Sequence, residues 1–367
     1  MTVMTAIGLM SGTSLDGIDI ALVETDGETV RRFGPTAYYA YEESEQACLR
    51  NALKAAVTLE DRNSRPKELA EAEAVVTQSH RRAVLDFLSG HGLVAQDIDV
   101  IGFHGQTVLH RPERGLTVQI GDGDTLARSL SIPVVHDFRA RDVEAGGQGA
   151  PLVPVFHRAL VEMSRIERPV AIANIGGVSN VTFIGGDGQV SSFDTGPGNA
   201  LLDDWMRKQT GSPFDSNGET ASRGKADEVL LEKLLSHPFF RQPPPKSLDR
   251  NWIEHGVVDH LSIEDGAATL TAFTARSIGK SLDHAGFKPN HWIIAGGGAR
   301  NTEMKRLLAD YSGIEVLTAD DVGWSSSFLE AQAFAFLAVR SLRGLPLTYP
   351  STTGVSGPMT GGVLAPA

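Results

Sequence analysis

Cysteine is nearly absent. Cys48 alone in 367 residues excludes a disulfide framework and a cysteine-built zinc site. Cations are the minority: 33 Lys and Arg against 45 Asp and Glu leave a formal charge of −12, whereas nucleic acid and anionic membranes both demand clustered Lys and Arg. Neither is expected as a partner, although a small anion held by main-chain amides is still allowed. No apolar run reaches the length of a membrane span, and the opening MTVMTAIGLMSG carries no positively charged leader, so a cytoplasmic location is expected. What is present is ordinary for a folded enzyme. With 41% hydrophobic and 21% charged residues, the chain is too apolar for disorder. It is also too long for one core, so two lobes are expected.

A short apolar run (Thr5–Met10), the turn SGTSLDG (Ser11–Gly17) and a second run (Ile18–Glu24) predict a β-hairpin with a long loop. Helical spacing follows over 43–60 and 67–90, then strands at Ile98–Phe103, Leu116–Ile120 and Ser131–Val135. Gly146–Pro154 has the Gly and Pro density of a linker or a binding loop. After it, the strand–glycine turn–strand pattern returns as Val170–Ile175, Gly176-Gly177 and Val178–Ile184. Its recurrence near the start of each half suggests a duplicated two-lobed fold. Further helices are predicted at 197–209, opened by Pro197, and at 225–236, 263–286, 301–309 and 325–343. A strand at Trp292–Ala295 precedes Gly296–Gly298.

Chemistry concentrates in the glycine-rich turns. Around Ser11–Gly17 main-chain amides can converge on an anion, with Ser11, Thr13 and Ser14 as hydroxyl donors; a plain hairpin loop uses the same residues. Gly176 and Gly177 permit close approach of a phosphate, or simply make a two-residue turn. Three consecutive glycines, Gly296–Gly298, are harder to explain by folding because each costs entropy; a flat adenosine lying on bare backbone is a better reason. In SFDTGPGN (Ser192–Asn199), Asp194 stands at a strand end before a Gly-Pro-Gly turn. It reads as a general base or as a carboxylate satisfying nearby amides. HGQT (His104–Thr107) and HDFRARDVEAGGQG (His136–Gly149) set hydrogen-bonding side chains directly after apolar strands, where α/β proteins place ligands. Arg139 and Arg141 can grip a carboxylate; equally, Arg139, Asp142 and Glu144 can form an internal ion network. His104 and His110 lack the spacing of a metal pair, and no protein metal-ligand set is predicted. GKS at Gly279–Ser281 is no phosphate loop, since Thr274 occupies the position of its first glycine.

Seven segments in one order, IGLMSGTSLDGID, FHGQTVLHRP, TVQIGDGD, HDFRARDVEAGGQGAPLVP, NIGGVSNV, FDTGPGN and GGGARN, carry a resemblance that runs from about residue 6 to residue 345. Together they resemble the anhydro-N-acetylmuramic acid kinases, a family of the sugar kinase, actin and heat-shock ATPase superfamily. The resemblance implies an α/β, two-lobed actin/hexokinase-like fold with a ribonuclease-H-like core in each lobe and an interlobe cleft. Lobe I would span 1–134, joined by 345–367, and lobe II 135–344. The implied enzyme uses ATP and Mg²⁺. It opens the 1,6-anhydro ring of 1,6-anhydro-N-acetylmuramic acid and phosphorylates O6, a step of peptidoglycan recycling.

By the same resemblance Asp194 would be the catalytic base. Gly12, Thr13, Ser14, Leu15, Asp16, Gly17, Ile18 and Asp19 would line the ATP phosphates. Gly176 and Gly177 would form the second phosphate turn, and Gly296, Gly297 and Gly298 the adenosine motif. His104, Gln106, Thr107, Arg139, Asp142, Gly198, Asn199 and Glu330 would serve the sugar. The partners implied are ATP and the small amino sugar, and a homodimer fits the family. Two positions depart from the wider superfamily: Met10 stands where an Asp usually precedes the first turn, and Asn174 opens the second turn in place of an acid. The rival readings are an ordinary hydroxyl sugar kinase of the same fold and a non-catalytic, actin-like nucleotide-binding module.

Overall fold

The computed structural model describes residues 2–12, 14–248 and 256–367. In chain order the elements begin with β1 (Met4–Met10), β2 (Gly17–Thr25), β3 (Val30–Ala40), α1 (Glu43–Ala56), α2 (Lys67–Gly90), β4 (Val100–Phe103), β5 (Gln106–Arg111), β6 (Leu116–Ile120), α3 (Gly123–Leu130), β7 (Val134–His136), α4 (Ala140–Glu144) and α5 (Pro154–Met163). A second series follows: β8 (Val170–Ile175), β9 (Val178–Ile184), β10 (Val190–Pro197), α6 (Ala200–Thr210), α7 (Glu219–Arg223), α8 (Glu228–Leu235), α9 (Ile263–Lys280), β11 (His291–Ala295), α10 (Thr302–Ser312) and β12 (Glu315–Thr318). The chain ends with α11 (Leu329–Leu342) and β13 (Val363–Ala365). Two compact units result, residues 1–163 with 330–367, and residues 164–329.

Each unit is built on the same sheet plan. In the first the order is β13-β7-β4-β1-β2-β3; in the second it is β10-β9-β8-β11-β12. From β3 and from β10 alike, three antiparallel strands lead inward and two parallel strands follow, and in the first sheet β13 adds one more strand, antiparallel to β7. The repeated glycine turn of the sequence is therefore the first hairpin of each copy. The parallel strands are buried along their length, as β4 (VIGF) is, so they read as unbroken apolar runs. Helix α2 supplies a stripe at helical spacing, Leu69, Ala72, Val76, Ala83, Val84 and Phe87, to the first core. In the first unit, α11 lies close enough to the sheet that a Cβ on Gly8 of β1 or Gly102 of β4 would collide with the carbonyl oxygens of Ala331 and Phe334.

The unit boundaries differ from the expected 134/135 and 344/345. Residues 134–136 form β7, a strand of the first sheet paired with β4 and β13, and α11 packs on Gly8 and Gly102, so both segments stay with the first unit. Pro197 does not open a helix either. It ends β10, opposite Val178, and α6 starts after Gly198 and Asn199. The helix expected over 263–286 is α9 to Lys280, followed by one 3₁₀ turn at Ser281–His284.

Candidate active site

In the second unit three glycine-rich turns meet around Ile175. The Asn199 side-chain amide donates to the Ile175 carbonyl at 3.1 Å. The Asn199 main-chain N–H donates to Gly176 O at 2.7 Å, and that of Gly198 to Gly177 O at 3.0 Å. Thr274 Oγ1 holds the Gly198 carbonyl at 2.9 Å. The glycines fall into two groups. Gly198 and Gly298 pack so tightly on Gly176 O and the Ile175 side chain that no Cβ fits, and Gly296 (φ +76°) would bring one to 2.6 Å from Asn174 Oδ1. The fold itself demands these three. Gly176, Gly177 and Gly297 are different: a Cβ would meet nothing nearer than 3.5, 3.8 and 3.5 Å, and none has a left-handed φ. The chain's own packing does not require glycine at these three positions.

Asp194 lies in β10, opposite Asn180, beside a register shift that leaves Thr195 as an extra residue. Such a bulge re-aims the neighbouring side chains. Phe193 and Thr195 are buried, and alternation sends the Asp194 side chain to the other face. There its Oδ2 accepts the Leu248 N–H at 2.8 Å, while its own N–H donates to Lys246 O at 3.0 Å. Lys246 carries no sequence signal. Its ammonium donates to Phe239 O at 3.0 Å and lies 4.6 Å from the Phe239 ring centroid. Burial, then the charge of Lys280, pushes it down to about 8.

In the first unit the turn after β1 is tied to HGQT. Ser11 Oγ donates to Gln106 Oε1 at 2.6 Å and lies 2.9 Å from the Tyr41 hydroxyl; Gln106 Nε2 donates to Gly12 O at 3.1 Å. Ser14 donates to the Asp16 carboxylate, and Asp16 O accepts the Tyr41 N–H at 2.9 Å. Leu15 and Ile18 are buried core residues and Gly17 lies against β3, so these three shape the turn. Thr13 lies outside the described residues. A pocket of about 230 Å³ is lined by Gly12, His104, Gln106, Thr107, His110 and Arg139 among others. His104 is locked as the neutral tautomer. Its Nδ1 donates to Gly105 O at 2.9 Å, and its Nε2 accepts from Arg139 Nε and Nη2 at 3.2 and 3.1 Å. Burial, then Arg139, holds it well below the usual histidine range. Asp142 is not in this lining. It sits beneath, with its oxygens accepting from Gly149 N, Thr348 Oγ1 and Thr353 Oγ1.

The acid that the first strand lacks lies across the hairpin. Asp19 of β2 is the register partner of Met10. Burial first, then the carboxylates of Asp16 and Glu330, raises Asp19 to about 7. This has a stability consequence. A carboxyl raised above its unfolded value contributes stability at low pH that is lost as pH climbs through its folded value. In metal-free protein, Asp19→Asn should therefore gain in melting temperature relative to wild type as pH rises from about 5 to about 8. Taking the difference between the two proteins cancels the opposite slope from buried histidines such as His80 and His157, whose values burial lowers to about 4 and about 3. A constant difference across that range would mean that Asp19 does not titrate there.

The family profile for anhydro-N-acetylmuramic acid kinase matches residues 4–367. An anhydro-N-acetylmuramic acid kinase of Methylobacterium nodulans is 61% identical over 372 residues, covering 99% of this chain and all of the relative. One from Bradyrhizobium diazoefficiens is 55% identical over 363 residues, covering 99% of each. Among solved structures, component A of (R)-2-hydroxyglutaryl-CoA dehydratase from Acidaminococcus fermentans superposes with a TM-score of 0.50 at 13% identity, over 93% of this chain and 99% of that one. That likeness speaks for the fold alone.

Proposed function

Because the chain belongs to the anhydro-N-acetylmuramic acid kinase family, we propose how its own residues divide the work of that family's reaction. The enzyme consumes ATP, water and 1,6-anhydro-N-acetylmuramic acid and yields N-acetylmuramate 6-phosphate and ADP. The observation that carries the assignment of roles is Asp194, a carboxylate re-aimed by a bulge and fixed by the Leu248 amide.

Asp194 takes a proton from water as that water's oxygen bonds to C1. The C1–O6 bond breaks, and O6 takes the γ-phosphoryl group of ATP in line, with ADP as the leaving group. The departing oxygen is trapped by phosphorus, so no separate acid is required, unlike ordinary inverting glycoside hydrolysis. Gly176 and Gly177 let main-chain amides approach phosphate, and Gly297 offers bare backbone to adenosine. Gly12, Ser14 and the rest of the first turn serve the phosphates. The pocket of Gln106, Thr107 and Arg139 receives the sugar, with Arg139 toward its carboxylate.

Among the described residues no three His, Cys, Asp or Glu side chains converge as a metal cage. Asp19, raised to about 7 by burial first and then by the carboxylates of Asp16 and Glu330, is an acid whose crowded negative surroundings suit a hard cation that keeps most of its water shell. Asp19 and Glu330 would hold Mg²⁺ there. When bound, it neutralises phosphate charge. The same reading takes the chain to be cytoplasmic and homodimeric; no helix among the described residues is long and apolar enough to cross a membrane.

The test is product mass after turnover in ¹⁸O-water. Ring opening adds a phosphoryl group and one solvent-derived oxygen at C1. A product that gains only the phosphoryl group marks an ordinary hydroxyl kinase and removes the base-on-water role of Asp194.

A further inference from the structure

Arg139 and Asp142 stand three residues apart at the start of α4 and grip one residue between them. The Gly149 N–H donates to Asp142 Oδ1 at 2.7 Å, and the Gly149 carbonyl accepts from Arg139 Nη1 at 2.8 Å. The second Asp142 oxygen is taken by the C-terminal tail, through Thr348 Oγ1 at 2.5 Å and Thr353 Oγ1 at 2.6 Å. The tail also holds the neighbouring residue, since Gln148 N–H donates to Thr353 O at 2.7 Å. Asp142, Thr348 and Thr353 are 3%, 2% and 0% exposed. A carboxylate this deeply buried is tolerable because three donors satisfy it. Removing any of them leaves a buried charge or a buried amide short of a partner. Gly149 adopts a left-handed φ of +67°, and a Cβ there would meet Val143 Cγ2 at 2.5 Å and His110 Cε1 at 3.2 Å, so the residue has little room to drift.

We propose that Asp142 is a positioning residue and that the tail segment Thr348–Thr353 is a structural part of the sugar pocket, setting Gly149 and through it the Arg139 guanidinium that receives the sugar's carboxylate. The relay rests on the reading of that pocket as the sugar site. Arg139 donates to His104 on one edge of its guanidinium and to Gly149 on the other. Loss of the Gly149 bond removes one of the contacts that orient the guanidinium, which misaligns a two-pronged grip without unfolding the sheet. The tail's own strand, β13, pairs with β7 independently of this cluster.

The experiment compares Thr353→Val, which keeps the shape and removes the hydroxyl, with Thr353→Ser, which keeps the hydroxyl. Steady-state constants for both substrates and melting temperature are measured for each. Thr353→Val should raise the KM for the anhydro sugar about tenfold, as expected for a misplaced binding group, with the KM for ATP unmoved; Thr353→Ser should restore it. In an Arg139→Gln background, Thr353→Val should add nothing further to the sugar KM, because the group it positions is gone. Thr348→Val serves as a second entry to the same carboxylate if Thr353→Val folds poorly. An unchanged sugar KM in both valine variants, or a full Thr353→Val effect in the Arg139→Gln background, overturns the relay alone. An Arg139→Gln protein with a normal sugar KM overturns the pocket reading and the relay with it.

Discussion

Asp194→Asn should reduce turnover by roughly 10²–10⁴-fold, the range of a lost general base, and leave the dissociation constant for ATP within about twofold. The substitution is close to isosteric, and an Asn oxygen can still accept the Leu248 N–H that the carboxylate accepts at 2.8 Å. The bulge, the strand and the neighbouring glycine turns are then undisturbed, so the effect isolates the lost basicity. The parallel measurements are ADP release with the anhydro sugar and nucleotide affinity by calorimetry. Near-normal turnover would remove Asp194 from the chemistry. Lost nucleotide affinity would instead make it part of the ATP site. ADP release that is slow and indifferent to sugar in the wild type would point to a nucleotide-binding module.

The second large effect contrasts two glycines a short distance apart in the fold. Gly297→Val should weaken ATP binding by about two orders of magnitude, the consequence of a branched side chain where a ligand is to lie on backbone, and leave melting temperature nearly unchanged. Gly198→Ala should do the reverse: about 3 kcal/mol of destabilisation from overpacking, because its Cβ has no room beside Gly176 O. The nearest atom to a Cβ on Gly297 is Asn199 Nδ2 at 3.5 Å, ordinary contact. If Gly297→Val melts early, the turn is glycine-rich for folding reasons alone and the adenosine role fails.

Much of this arrangement was legible before any coordinates. The duplicated hairpin could be read because each copy begins with an apolar run, a glycine turn and another apolar run, signals local to a few residues. Strand β3 could not: Gly34 and Pro35 interrupt it, and their presence is tolerated because β3 is the outer strand of its sheet, a fact of topology. Pro197 misled for a related reason, since a proline before an apolar helix is a start signal, yet here the last strand pairs claim it. Asp194, Arg139 and the glycine turns are visible as motifs, whereas the meeting of the second unit's turns around Ile175 is not. That Gly296 and Gly298 answer to packing and Gly297 does not depends on Ile175, more than a hundred residues earlier. Asp142 sat among sugar-facing candidates because its neighbours in sequence face the pocket; its partners come from the tail. The Asp19–Met10 relation needs strand register, which no motif encodes.

The seating of α11 has one more result. Glu330 occupies the first turn of that helix, and the helix rests on Gly8 and Gly102 with no space for even a methyl group. The distance between Glu330 and Asp19 is thus governed by two residues that touch neither substrate nor ion. A random-mutagenesis survey scored on cell-wall sugar salvage would recover alanine at Gly8 or Gly102 beside true active-site lesions, and a lowered melting temperature would tell the two apart, because the new Cβ meets the main-chain oxygens of Ala331 and Phe334, which no side-chain truncation removes.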